Sequence, residues 1–132
     1  MISERELPGA LGGVDHIVNI LPDSAETRQF FDAARFATTK PGAIFYNLGR
    51  GTTVVQDALL DALRSGKIGA AWLDVTDPEL LPDEHPLRSE PNCFITPHIA
   101  GGHAGEAKTV VGHFLKNFGR FVRGEPLLDR VM

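Results

Sequence analysis

Four short apolar runs, each cut off by proline or glycine and separated by stretches of helical periodicity, constrain this chain more than anything else in it. They are His16–Leu21, Ala43–Asn47, Ile68–Val75 and Cys93–Thr96. Each is too short for a stable helix and rich in β-formers, so each reads as a strand. Strands alternating with helices fold most readily as right-handed βαβ units around a parallel sheet. The expected class is α/β, with about four parallel strands and flanking helices.

Local signals divide the rest. Residues 1–13 read as a polar, glycine-rich lead-in. Asp23 followed by Glu26 resembles a capping box and predicts a helix from Asp23 or Ser24 to about Phe36. Pro41-Gly42 turns the chain into the second strand, Ala43 to Tyr46 and on to Asn47, which is expected to be buried on both faces. Ala58, Leu59, Ala62 and Leu63 fall at helical spacing within Gln56–Ser65, and Gly66 supplies the stop. Residues 76–92 contain Pro78, Pro82, Pro86 and Pro91 and are expected to be loop. A last helix spans Gly105–Arg123, with an apolar stripe from Val110 to Val122 suited to a core or a subunit interface.

Composition excludes several classes. The 132 residues have the length of one domain, and the net charge of −4 with no basic run argues against a nucleic-acid surface. No stretch is apolar enough to span a membrane. Cys93 is the single cysteine, so no disulfide framework exists and a reducing compartment is expected. The acidic start M-I-S-E-R-E-L-P lacks the apolar core of a secretion signal, which makes the cytoplasm the expected location.

The candidate chemistry lies just past the strands. Arg50, between Gly49 and Gly51, follows the second strand; Asp74 ends the third; Glu79 comes five residues later; His98 follows the fourth. A parallel sheet gathers such residues at its carboxyl edge, where ligands bind. Arginine can grip a carboxylate with two parallel N–H bonds. A glutamate beside a histidine favours the imidazolium and makes it a general acid. Together they suit protonation of a carbonyl oxygen as hydride arrives from a nicotinamide. Each residue alone also has a structural reading: Asp74 as a turn cap, Glu79 as a solvated charge, His98 as a turn histidine.

The chain from His16 to Val131 resembles the C-terminal half of the D-isomer-specific 2-hydroxyacid dehydrogenases. The matching stretches are N-L-G-R-G at 47–51, L-D-V-T-D-P-E-L-L-P at 73–82, H-P-L at 85–87 and I-T-P-H-I-A-G at 95–101, with N-F-G-R-F-V-R-G-E-P-L at 117–127 closing the chain. The resemblance implies a Rossmann-like half-domain over residues 1–132, with 105–132 as closing helix and tail. It implies NAD or NADP as cofactor and a small 2-keto or 2-hydroxy acid as substrate. Arg50 would bind the substrate carboxylate and keto oxygen, His98 would be the acid/base, and Glu79 its tuning partner. Asp74 would lie near the nicotinamide and its ribose. Leu21 and Pro22 would border the adenine, Thr27 the cofactor side, and Leu48, Gly49 and Gly101 the nicotinamide pocket.

The family's G-x-G-x-x-G turn and its separate substrate domain are not in this sequence. Neither G-A-L-G-G at 9–13 nor G-G-H-A-G at 101–105 has the required spacing. Val55 stands where the family usually places an aspartate N-cap. The expectation is therefore a fragment or truncated form whose strand His16–Leu21 is left as an exposed edge, favouring a homo-oligomer. Two other readings stand beside it. One is a non-catalytic Rossmann-like module for dimerisation or partner binding. The other is a metal site of His98, His103 and Glu106, whose spacing fits a helix face poorly.

Overall fold

A computed structural model describes residues 4–102 and 104–129. The chain forms two compact units, Met1–Ala100 and Gly101–Met132. In the first, β1 (His16–Asn19), β2 (Ala43–Asn47), β3 (Ile68–Leu73) and β4 (Cys93–Ile95) make one sheet in the order β1-β2-β3-β4. All three pairings are parallel. The strands fall where the apolar runs placed them: β2 has the expected bounds, β1 and β3 end two residues early and β4 one.

The sheet is packed on one face. Ile17, Ala43, Phe45, Ile68, Ala71 and Leu73 point into the core, joined by Leu59, Leu60 and Leu63 of α3 (Gln56–Arg64). Phe31 and Phe36 pack edge-on or tilted against each other and against Phe45, with ring centroids 4.9–5.9 Å apart. The opposite face carries a row of rings that crosses all four strands: His16, Tyr46, Trp72 and Phe94, stacked 4.6–5.9 Å apart. Trp72, Phe94 and Val18 are exposed there. The expectation that β2 would be buried on both faces is therefore corrected: its burial alternates, as in a sheet covered on one side. β1 is an edge strand, and Val18 and Ile20 are exposed along it.

Three other local expectations change. The lead-in contains a short helix, α1 (Leu7–Leu11), whose Leu11 reaches the core. The helix expected over 23–36 is reduced to α2 (Ala33–Thr38), capped by the Asp32 carboxylate accepting from the Arg35 N–H at 2.8 Å. The Asp23 carboxylate instead accepts from the Thr52 hydroxyl, and the Gln29 and Phe31 N–H groups donate to the carbonyls of Thr52 and Thr53. Pairing with a distant segment has overridden the local helix signal. Finally, the proline-rich loop holds a single helical turn, α4 (Pro86–Ser89), begun by Pro86 and anchored by buried Leu87.

The second unit is α5 (Glu106–Val122) and its tail. Asn117 holds the tail through both polar atoms of its amide, accepting from the Leu128 N–H at 2.8 Å and donating to the Leu128 carbonyl. Val110, Phe114, Phe118, Phe121 and Val122 are all exposed, so this stripe builds no core among the described residues.

Replacing Asp32 with alanine should leave the first N–H groups of α2 unsatisfied and cost about 1 kcal/mol. Urea unfolding of the variant against the parent checks it.

Candidate functional site

The sheet register brings the candidate residues to one rim. Asn47 lies beside Leu73 and Leu73 beside Ile95, so the segments after β2, β3 and β4 leave the sheet at the same edge. A cleft of about 640 Å³ opens there, lined by Asp74, Glu79, Arg88 and His98 among others.

Asp74 is the anchor. It is buried, and its two carboxylate oxygens accept from the Thr96 hydroxyl at 2.6 Å and from the N–H groups of Ile99 and Ala100 at 2.8 Å each. Burial pushes its pKa up. Against that, the hydrogen bonds from Thr96, Ala100 and Ile99, with His98 nearby, together hold the carboxyl below its usual value. The Asp74 carbonyl also accepts from the His98 N–H at 2.9 Å. One residue thus shapes the whole 96–100 turn.

His98 sits in that turn with φ of 54°, a left-handed conformation that few non-glycine residues adopt. Its Nδ1 lies 2.5 Å from Glu79 Oε1. Both side chains are substantially exposed, so the pair adds little to stability. Its consequence is orientation: with Nδ1 engaged by Glu79, Nε2 is the ring nitrogen left for another partner.

Arg50 shares the rim but does not line the cleft. It is exposed, and its Nη1 donates to the Gly49 carbonyl at 2.7 Å. The flanking glycines are required by neighbouring backbone. A Cβ on Gly49 would come within 2.6 Å of the Leu21 carbonyl oxygen, and one on Gly51 within 2.0 Å of the Thr76 carbonyl. Leu21 is partly buried against the core. Pro22 is exposed, and its carbonyl accepts from the Thr27 hydroxyl at 2.5 Å. Leu48 is exposed at the end of β2. Gly101 is exposed and begins the second unit. His103, the middle member of the metal reading, lies outside the described residues.

Sequence reasoning missed a buried polar group beneath Arg50. The Asn19 side-chain amide donates to Asn47 Oδ1 at 2.9 Å and Thr53 Oγ1 at 2.7 Å, and its oxygen accepts from the Leu21 N–H. Asn47 and Thr53 in turn both donate to the Arg50 carbonyl, at 3.1 and 2.6 Å. Register sets the two asparagines side by side at the ends of neighbouring strands, which neither apolar run shows by itself.

A dinucleotide would find part of a site here. The imidazole, carboxylates and largely apolar walls of the cleft suit a nicotinamide ring. A pyrophosphate needs a glycine-rich helix start, and among the described residues no helix of the first unit offers one: α1 follows Glu6, α2 follows Asp32, which caps it, α3 follows Val55 and α4 follows His85.

Residues 2–100 match the family model for the NAD-binding domain of the D-isomer specific 2-hydroxyacid dehydrogenases. The chain belongs to that family. It is 48% identical over 94 residues to a glyoxylate/hydroxypyruvate reductase B of Citrobacter koseri, a match covering 71% of this chain and 29% of the relative. Among solved structures, a D-isomer specific 2-hydroxyacid dehydrogenase of Xanthobacter autotrophicus in complex with NADPH matches with a TM-score of 0.89 and 40% identity, over 98% of this chain and 52% of that one. An NADPH-dependent glyoxylate/hydroxypyruvate reductase of Sinorhizobium meliloti, in complex with NADP and sulfate, gives 0.87 and 33%, over 98% and 42%. The chain thus spans well under two thirds of the length of these dehydrogenases.

Two outcomes are expected. Gly51→Ala should cost about 3 kcal/mol, since neither backbone can yield without moving a strand end; thermal unfolding measures it. Asp74 titrates lower in the folded chain than its ordinary value of 3.8, so its stabilisation is complete above that value and is lost as pH falls through the folded one. The stability gap between the parent and Asp74→Asn should therefore be widest near neutrality, at about 3 kcal/mol, and should narrow in acid.

Proposed function

We propose that this chain supplies the nicotinamide end and the acid/base pair for NAD(P)-dependent interconversion of a 2-keto acid and a D-2-hydroxy acid. The observation that carries the reading is the Glu79–His98 pair, held at 2.5 Å over a cleft at the carboxyl rim of a parallel sheet. Relatives named as glyoxylate/hydroxypyruvate reductases support small 2-keto acids as the substrate class.

In this reading, a bound nicotinamide supplies or accepts the hydride. His98 gives a proton from Nε2 to the carbonyl oxygen in reduction and takes it back in oxidation, while Glu79 fixes the ring and stabilises its charged form. Arg50 spends one of its five donors on the Gly49 carbonyl and keeps others for the substrate carboxylate and keto oxygen. Asp74 builds the turn beneath the nicotinamide and its ribose; Leu48 and Gly49 contribute to that pocket, and Leu21, Pro22 and Thr27 to the far end of the cofactor. The pyrophosphate cradle would have to come from elsewhere.

A second reading follows from the exposed apolar surfaces: the ring row on the open sheet face, the β1 edge and the α5 stripe. They support association between copies of this chain, and a non-catalytic module for dimerisation would need no more. No helix among the described residues is long and apolar enough to cross a membrane. Half-buried Cys93 has its thiol pushed up to about 11 by burial and by Glu90, which makes it a poor nucleophile. The location in the cytoplasm is supported by its being the single cysteine of the sequence.

With the full chain, oxidation of NADH or NADPH by glyoxylate or hydroxypyruvate should fall at least about 100-fold in His98→Ala. Turnover that ignores this substitution would overturn the acid/base assignment. Light scattering at high concentration should show a species larger than the monomer.

A further inference from the structure

We propose that Gln56 and Arg88 are positioning residues that set Glu79 against His98. The inference rests on the acid/base reading of that pair and deepens it. Glu79 lies midway along a segment, Asp77–Pro82, that belongs to no strand or helix. Its carbonyls therefore have no ladder to hold them, and side chains take that place.

Gln56, the first residue of α3, meets Asp77 with both ends of its amide. Nε2 donates to the Asp77 carbonyl at 2.6 Å, and Oε1 accepts from the Asp77 N–H at 3.1 Å. This two-point contact, one on the peptide before Asp77 and one on the peptide after it, fixes the direction of the backbone there as well as its place. On the other side of Glu79, Arg88 in α4 donates from Nε to the carbonyls of Leu81 and Pro82 at 3.0 Å each, and from Nη2 to Leu81 again. The Thr76 hydroxyl donates to the Pro78 carbonyl at 2.9 Å. The carbonyls of residues 77, 78, 81 and 82 are thus all held by side chains, with Glu79 between the two outer attachments.

The consequence for His98 is geometric. Asp74 fixes the backbone that carries the imidazole, from the β4 side, but nothing in that network fixes its partner. Glu79 is exposed and its side chain is long, so the backbone beneath it decides how often its carboxylate reaches Nδ1. The exposed position of the Gln56 bonds means that removing them should leave stability nearly unchanged. A structural role and a positioning role therefore predict different results.

The test uses the full chain, labelled with 15N, and follows the His98 ring nitrogens by long-range 1H–15N NMR at neutral pH, assigned with His98→Ala. Glu79→Gln defines the signal of the broken pair. Gln56→Met and Arg88→Met should each move the His98 ring signals toward that position, by half the distance or more, while the sheet amide signals stay in place. Arg88→Lys, which keeps a single donating nitrogen, should bring the ring signals part of the way back to the parental position. If both methionine variants leave the ring signals at the parental position while Glu79→Gln moves them, the positioning role is overturned and the acid/base reading stands. If Glu79→Gln moves nothing, the pair is not formed in solution, and both fall.

Discussion

Asp74 is a carboxylate taken out of water, and the groups that compensate it are the same ones that build the site. A buried charge needs donors, and three of them come from the residues that follow β4: one hydroxyl and two backbone N–H groups. Satisfying the charge therefore dictates the path of the 96–100 turn, and with it the unusual backbone angle of His98. The site is a by-product of solvation. That is a stronger constraint than the contact between the exposed Glu79 and His98 side chains, because its carboxylate is buried and held by those three donors.

A second buried polar group does similar work one strand away. Asn19, Asn47 and Thr53 tie the ends of β1 and β2 to the turn that carries Arg50, and Gly49 and Gly51 let that turn lie directly on the backbone of Leu21 and Thr76. Low dielectric makes such networks costly if any member is unpaired, and no buried side-chain nitrogen or oxygen among the described residues lacks a partner. The rim of the sheet is thus cross-linked by polar contacts while its middle is held by Phe31, Phe36, Phe45 and the leucines of α3. Apolar packing fixes the sheet; hydrogen bonds fix where its ends point.

What could be read from the sequence follows the same division. The strands were legible because apolar runs bounded by proline or glycine admit few other structures, and the positions of Asp74, Glu79 and His98 followed from them. The helix proposed after Asp23 was not legible, because Gln29 and Phe31 pair with residues 52–55 that lie far along the chain. The alternating burial of β2 was hidden too: Ile44 is as apolar as Phe45, Tyr46 differs from it by one hydroxyl, and only topology shows which face is covered. Asn19 lies inside the apolar run His16–Leu21, and Asn47 closes the run Ala43–Asn47. Their partnership depends on register, which no single run reveals. Gln56 and Arg88 were invisible for a related reason, since what they hold is backbone, and backbone leaves no mark in a sequence.

The ring row on the open face gives the molecule a property of its own. Trp72 is the chain's one tryptophan, and it is stacked between Tyr46 and Phe94 with part of its surface in water. Its emission colour depends on how wet the indole is, and tyrosine light absorbed next door can be handed to it. Whatever lies down on that side of the sheet would dry the indole and shift its glow toward the blue. The protein thus carries a built-in dye for its own uncovered surface.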